Sequence, residues 1–174
     1  MPKTYRDQLI FGKSTNTRDL SGTLRDVIEG VSIQIEQVKQ VLSEFEGTIE
    51  QVPPMFSAVK VQGRKLYELA RKGQEVERKA RKVHIYNIQL EDHSLDLTFP
   101  EIEFTVTCSK GTYIRSLCED IGKKLGIPAV MGELIRLQSG PFKLQDCCSL
   151  PELETAVADL RLHQYLKPID YAVT

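Results

Sequence analysis

The chain has 174 residues, 41% of them hydrophobic and 27% charged, with a formal net charge of −1. This is chain enough for one domain with its own core, and an ordinary composition for a globular protein. No apolar run approaches the ~20 residues that cross a bilayer, and Met1-Pro2-Lys3-Thr4-Tyr5-Arg6 is followed by no apolar stretch of a secretory signal.

Residues 3–11 alternate weakly and predict a strand. Residues 12–30 are rich in Gly, Ser, Thr, Asn and Asp and read as loop and turns. Residues 34–46 place Ile35, Val38, Val41, Leu42 and Phe45 at helical spacing, with Gly47 as the stop. Residues 51–58 contain Pro53 and Pro54, which exclude helix and central strand. Lys65 to Lys72 predicts a short helix closed by Gly73.

Residues 83–90 form a β-rich run, and residues 101–108 alternate with Ile102, Phe104, Val106 and Cys108 on one face. Ser109-Lys110-Gly111 predicts a turn, followed by a helix on Ile114, Leu117, Ile121 and Leu125 that ends at Gly126. Residues 133–138 predict a further strand. Ser149-Leu150-Pro151-Glu152 is a capping box with proline in the first turn, opening a helix to about Leu160. Strands that do not alternate regularly with helices make the class α+β.

Cys108, Cys118, Cys147 and Cys148 show no C-x-x-C spacing, and His84, His93 and His163 do not cluster near them. A zinc site is not expected, and the thiols read as reduced. Charge is unevenly distributed. Between Met55 and Lys82 nine basic residues face three acidic ones, a surplus of six. Both a phosphate-contacting element and an ordinary solvated face fit that segment.

The densest motif is Cys108-Ser109-Lys110-Gly111-Thr112-Tyr113-Ile114-Arg115. A strand ends, a glycine turns the chain, and a helix begins with Tyr113 and Arg115 in its first turn. Such a junction holds side chains rigidly at a sheet's end. Tyr113 can offer a ring to a planar base, and Arg115 can fork onto a carboxylate or phosphate. By itself the motif is a weak signal, and a packed tyrosine with a surface arginine is its plainer reading.

That segment resembles the second active-site segment of the tRNA pseudouridine synthase B (TruB) family. Three further blocks match in the same order. Lys3-Thr4-Tyr5-Arg6 is similar to the family's active-site tyrosine strand. Gln51-Val52-Pro53-Pro54-Met55-Phe56-Ser57-Ala58, with Gly63-Arg64-Lys65-Leu66-Tyr67-Glu68 and Ala70-Arg71-Lys72-Gly73, is similar to its RNA-gripping insertion. Leu134-Ile135-Arg136-Leu137-Gln138-Ser139-Gly140 resembles its Leu-Arg-Arg-Leu strand. The resemblance runs from about Lys3 to Tyr171. It implies an α+β pseudouridine synthase catalytic fold, a mixed and largely antiparallel sheet flanked by helices. Residues 1–174 would be that domain, incomplete at the N-terminus, with a basic insertion at about 55–82 and no C-terminal PUA-type domain.

The family isomerises the T-loop uridine of tRNA to pseudouridine without metal or organic cofactor, flipping the base into the pocket. An aspartate attacks the nucleotide, the glycosidic bond breaks, and the uracil turns and rejoins through carbon. The resemblance implies that Tyr5 stacks on the base, Tyr113 contacts base and sugar, Leu134 closes the pocket wall and Arg115 orients the aspartate. Lys60, Arg64, Lys65, Arg71, Lys72, Lys110 and Arg136 would bind RNA. The implied partner is the T-arm of tRNA, met in the cytoplasm by an enzyme that is monomeric when complete and touches no membrane.

The family's aspartate lies in a Gly-Thr/Ala-Leu-Asp-Pro segment upstream of the tyrosine block. No aspartate of this chain is followed by proline. Arg115 is therefore expected to turn toward solvent, water or another acid, and this chain alone is expected to bind tRNA without making pseudouridine. Smaller departures are Thr15-Asn16-Thr17-Arg18-Asp19, Val130 and Ile135. The alternatives are a non-catalytic RNA-binding remnant of the family and a dyskerin-type guide-dependent synthase.

Overall fold

The computed structural model of the chain describes residues 1–61, 63–168 and 171. In chain order the elements are β1 (Lys3–Phe11), β2 (Lys13–Thr15), β3 (Leu24–Val27), α1 (Ile35–Glu44), β4 (Gly47–Gln51), β5 (Lys60–Val61), β6 (Arg64–Lys65) and α2 (Leu66–Ala70). There follow β7 (Arg81–Ser94), β8 (Glu101–Cys108), α3 (Ile114–Leu125), β9 (Ala129–Ser139), β10 (Phe142–Lys143) and α4 (Leu150–Ala158). Asp170, beside the end of the family resemblance, lies outside the described residues.

Six strands form one sheet in the order β10-β9-β1-β8-β7-β4, every neighbouring pair antiparallel. The alternation of β8 decides its two faces. Ile102, Phe104, Val106 and Cys108 are buried, while Glu101, Glu103, Thr105 and Thr107 lie half-exposed on the other side. Only one face therefore meets a core, as antiparallel sheets allow. That face carries α3, which packs over β9 and β1, and α1, which packs over β7 and against α3. Leu9, Phe11, Val38, Ile85, Phe104, Leu117 and Ile121 fill the layer between. Each such side chain contributes roughly 1.5–3 kcal/mol by leaving water.

Two glycines fit α3 to the sheet. A Cβ on Gly122 would stand 2.5 Å from the Ala129 Cβ, so only glycine lets the helix approach β9 this closely. Gly126 ends the helix at φ 73°, the left-handed conformation expected of a C-terminal glycine. The chain then enters β9 within three residues.

The predicted helices agree with α1, α2, α3 and α4 to within a few residues at each end, and Ser149 and Glu152 form the reciprocal capping box. The predicted strands at 83–90 and 133–138 are cores of the longer β7 and β9. Register shifts in both strands interrupt their period of two. The hairpins β2–β3 and β5–β6 and the edge strand β4 were not foreseen, because two- to five-residue strands carry too little alternation to register. Residues 52–80 leave the sheet between β4 and β7, which are themselves direct neighbours.

One polar group interrupts the apolar layer. Asp7 is 1% exposed, its Oδ2 accepts a hydrogen bond from the Cys118 thiol at 3.0 Å, and its Oδ1 has no partner among the described residues. Burial pushes its carboxyl up to about 8, against a smaller downward pull from Cys118. Between the ordinary carboxylate range and about 8, the folded chain keeps a proton that the unfolded chain has released. Stability is therefore lost as pH rises through that window. Asp7→Asn should abolish this loss. Urea unfolding should show the variant on the order of a few kcal/mol more stable than the parent at pH 8, with the advantage shrinking toward pH 4. An advantage independent of pH would mean that Asp7 is not held neutral.

Candidate active site

The site is assembled where the first turn of α3 rises above the end of β8. Ser109 fixes the turn to β7: its N–H donates to the His84 carbonyl at 2.8 Å, and its Oγ accepts from the His84 N–H at 2.9 Å. Thr112 closes the turn by donating from Oγ1 to the Ser109 carbonyl at 2.9 Å. Gly111 takes φ 86° between them. Tyr113 is the N-cap of α3 rather than a residue of its first turn, and Arg115 is the second helical residue.

Arg115 is the node of the site. Its Nη1 donates to Asp19 Oδ2 at 3.0 Å and to the Thr17 carbonyl at 3.2 Å, and its Nη2 donates to the Phe56 carbonyl at 2.9 Å. Three segments far apart in sequence thus meet on one guanidinium: the 15–21 loop, the segment after β4, and α3. The acid expected to take up Arg115 is Asp19, with side chains 23% and 18% exposed respectively.

Asp19 is held from all sides. Oδ1 accepts from the Thr17 hydroxyl at 2.7 Å and from the Ser21 N–H at 3.1 Å, as well as from the Ser21 hydroxyl. Partial burial pulls its pKa upward, but the hydrogen bonds from Ser21 and Thr17 and the Arg115 charge outweigh this and leave the carboxyl below its usual range. Arg18, at φ 66°, ties the loop to α3 through Ser116 Oγ at 2.7 Å and Glu119 at 3.1 Å.

Tyr5 pairs across β1 with Val106 and Arg136, on the face that carries α3. Burial raises its phenol pKa, with the Arg136 guanidinium opposing the rise. Leu134 lies opposite Asp7 on the same face and is 40% exposed. Asp7 meets Cys118, one turn beyond Arg115, so β1, β9 and the start of α3 are in register around one location. Tyr5, Tyr113, Arg115 and Leu134 therefore occupy one side of the sheet. Ile135 stands opposite Arg6 on the other side, and Val130 is fully buried.

The basic residues divide into groups. Lys60, Arg64 and Lys65 lie on the β5–β6 hairpin, and Arg71 and Lys72 follow α2, all but Lys65 exposed. Lys65 Nζ and the Arg71 guanidinium each stand 5.5 Å from the centre of the Tyr67 ring. Lys110 is exposed in the turn before Tyr113, and Arg136 is exposed beside Tyr5. A cleft of about 270 Å³ between insertion and loop is lined by Arg18, Arg25, Phe56 and Arg78. The opposite face of the sheet carries a cleft of about 350 Å³ in which Asp92, Glu101, Glu103 and Glu133 outnumber Arg6, a lining less favourable to phosphate. Among the described residues, no group of His, Cys, Asp and Glu is gathered as a metal ion would require, and no helix is long and apolar enough to cross a membrane.

Sequence reading missed Asp19 and Gln51 as parts of the site. The signal for Asp19 was present in the spacing of Thr17, Asp19 and Ser21, which favours a carboxylate hydrogen-bonded by its own loop. Gln51 is visible only through the hydrogen bonds of its side chain to the Tyr113 backbone.

The sequence profile of the TruB family pseudouridylate synthase N-terminal domain matches residues 1–114, and that of the tRNA pseudouridylate synthase B C-terminal domain matches residues 115–174. The chain is 47% identical to the tRNA pseudouridine synthase B of Bacillus licheniformis and 44% identical to that of Bacillus pumilus. Each alignment covers 98% of this chain and 56% of the relative. The chain thus spans about half the length of the curated relatives it matches. Among solved structures, a chain in the crystal structure of a Cbf5-Nop10-Gar1 complex is similar with a TM-score of 0.68 at 27% identity, over 99% of this chain and 43% of that one. A chain in the structure of an H/ACA RNP bound to a substrate RNA containing 2'-deoxyuridine shares the fold, with a TM-score of 0.65 at 24% identity over 99% of this chain and 41% of that one.

The Arg115–Asp19 contact makes a measurable demand. In Arg115→Met, Asp19 loses a cation and should titrate at higher pH than in the parent, followed by the ¹³Cγ resonance of Asp19. An Asp19 curve that stays in place would mean that Thr17 and Ser21 alone hold the carboxylate ionised.

Proposed function

Because this chain belongs to the TruB family of pseudouridylate synthases, we propose that it grips the T-arm of tRNA and holds a flipped uridine while that base is converted to pseudouridine. The observation that carries the reading is the convergence on Arg115 of the 15–21 loop, the segment leading into the basic insertion, and α3. A guanidinium fixed by three segments is a preorganised charge beside the place where Tyr5 and Leu134 face out from the sheet. The residues have distinct tasks. Tyr5 stacks on the base, Tyr113 contacts base and sugar, Leu134 walls the pocket, and Arg115 orients and charge-balances the attacking carboxylate. Residues 1–174 form one domain, supported by a sheet that takes β1, β4, β7 and β8 from one matched profile and β9 and β10 from the other.

In the reaction a carboxylate attacks the nucleotide, the bond from sugar carbon to base nitrogen breaks, and the same sugar carbon bonds to a ring carbon; the carboxylate is released, that ring carbon gives up its proton, and the freed ring nitrogen takes one up. The overall change is an isomerisation and consumes no oxidant. Asp19 is already engaged by Arg115, Thr17 and Ser21, and Asp7 is sealed under α3, so this chain's residues are assigned binding and positioning roles. RNA approaches on the α3 side, between the basic insertion and Lys110 and Arg136, with the carboxylate-rich cleft turned away. The complete enzyme is proposed to work as a monomer. The four free cysteines suit the reducing cytoplasm, where tRNA is modified. The stand-alone tRNA reading is favoured over a guide-dependent one by 44–47% identity to the former class against 27% to the Cbf5 chain.

Two measurements test this. Joint substitution of Arg64, Lys65, Arg71 and Lys72 by Ala should weaken binding of a T-arm hairpin and flatten its salt dependence, by roughly one unit of slope for each phosphate that is no longer neutralised. Affinity unchanged at low salt would remove the insertion from the interface. Independently, these 174 residues should replace the matching region of the Bacillus licheniformis relative and preserve pseudouridine formation in unmodified tRNA. Arg115→Met in that chimera should slow it by on the order of a hundredfold or more, while the chain alone binds without turnover. A folded, tRNA-binding chimera that makes no product would overturn the assignment.

A further inference from the structure

Gln51 is the last residue of β4, and its side chain is 2% exposed. Both ends of its amide are spent on one residue 62 positions away: the Tyr113 N–H donates to Gln51 Oε1 at 3.0 Å, and Gln51 Nε2 donates to the Tyr113 carbonyl at 3.3 Å. Tyr113 is extended, at φ −98° and ψ 107°, so its N–H and C=O are presented to one side. The glutamine amide pairs with it as an adjacent strand residue would, exchanging both bonds. A tyrosine cannot cap a helix with its own side chain, and none of the side-chain caps that Ser, Thr, Asp or Asn supply is present at Tyr113. The Tyr113 carbonyl also accepts from the Ser116 and Leu117 N–H groups of the helix at 3.1 Å, so it is the Tyr113 N–H that is fixed from outside the helix.

Gln51 also begins the segment that leads into the basic insertion. The next residues are bound by their carbonyls to three arginines: Val52 to Arg18 at 3.5 Å, Pro53 to Arg78 at 3.2 Å, and Phe56 to Arg115 at 2.9 Å. Pro53 and Pro54, both buried, stiffen it between those points. One short strap therefore fixes Tyr113 at its start and Arg115 at its end.

We propose that Gln51 is a positioning residue, whose side-chain amide sets the backbone of Tyr113, and with it the aim of the tyrosine ring, from the root of the basic insertion. The role assigned to that ring rests on the proposed function; the hold on the backbone does not. A glutamine that only satisfied its own burial could exchange partners without consequence for RNA. A positioning glutamine fixes how the base is received while leaving the phosphate contacts alone.

Two variants of the chain separate these cases. Gln51→Met keeps the volume and removes both hydrogen bonds, whereas Gln51→Glu keeps the oxygen that accepts from Tyr113 N–H. Amide hydrogen exchange followed by NMR should speed up at Tyr113 by roughly tenfold or more in Gln51→Met, with less change in Gln51→Glu and none at Ile121 in the core. T-arm hairpins carrying either uridine or an abasic site at the flipped position supply the second readout. The parent should bind the uridine form more tightly. Gln51→Met should lose most of that ratio while binding the abasic hairpin as the parent does, and Gln51→Glu should recover part of it. Unchanged Tyr113 exchange in both variants overturns the proposal. Faster exchange with an unaltered uridine-to-abasic ratio overturns it as well, reducing Gln51 to a structural residue. If the parent does not distinguish the two hairpins, the role given to the Tyr113 ring fails, and the exchange data alone decide whether Gln51 holds its backbone.

Discussion

The register of β1 between β8 and β9 is the constraint on which the site depends. Tyr5, Asp7 and Leu9 face α3 because they stand opposite Val106, Phe104 and Ile102, whose side chains form the core. A slip of one residue would carry Tyr5 to the carboxylate-rich face and bring Arg6 under the helix. The same strand, through its other edge, sets Leu134 and Arg136. It is the burial of Leu9 and Phe11, both fully inaccessible, that forbids the slip. Packing in the apolar layer thus selects which polar groups reach the site, and α3, lowered onto β9 at Gly122, brings Arg115 to meet them.

Much of this was legible in the sequence because the relevant signals are local. The alternation of residues 101–108, the helical period after Tyr113 and the glycines at 111 and 126 each act over a few residues, and the elements they predict are present. The location proposed for the site rests on the strand–turn–helix junction together with the resemblance. What escaped was non-local. Gln51 and Tyr113 lie 62 residues apart, and Asp19 and Arg115 lie 96 apart. Neither pair leaves a periodic trace, since each depends on two separately folded segments arriving at one point. The short strands β4, β5 and β6 were missed for a related reason: they are stabilised by their partners rather than by a pattern of their own.

The chain is also sided. The α3 face gathers Arg18, Arg78, Arg115 and Arg136 with the basic insertion, while the reverse of the same sheet carries Glu101, Glu103 and Glu133. A net charge near zero conceals this separation. The side that carries the basic insertion is thus the more favourable one for a polyanion to approach.

The three arginines that fasten the segment after Gln51 all bind main-chain carbonyls, at Val52, Pro53 and Phe56. Every amino acid carries that acceptor. The fastening is therefore indifferent to which side chains stand at those positions, provided the backbone keeps its path. Substitution of the Val52 or Phe56 side chain would leave each of these acceptors in place, whereas substitution of an arginine would remove its donor. The chemical identity of this segment and its mechanical rigidity thus reside in different atoms of the same residues.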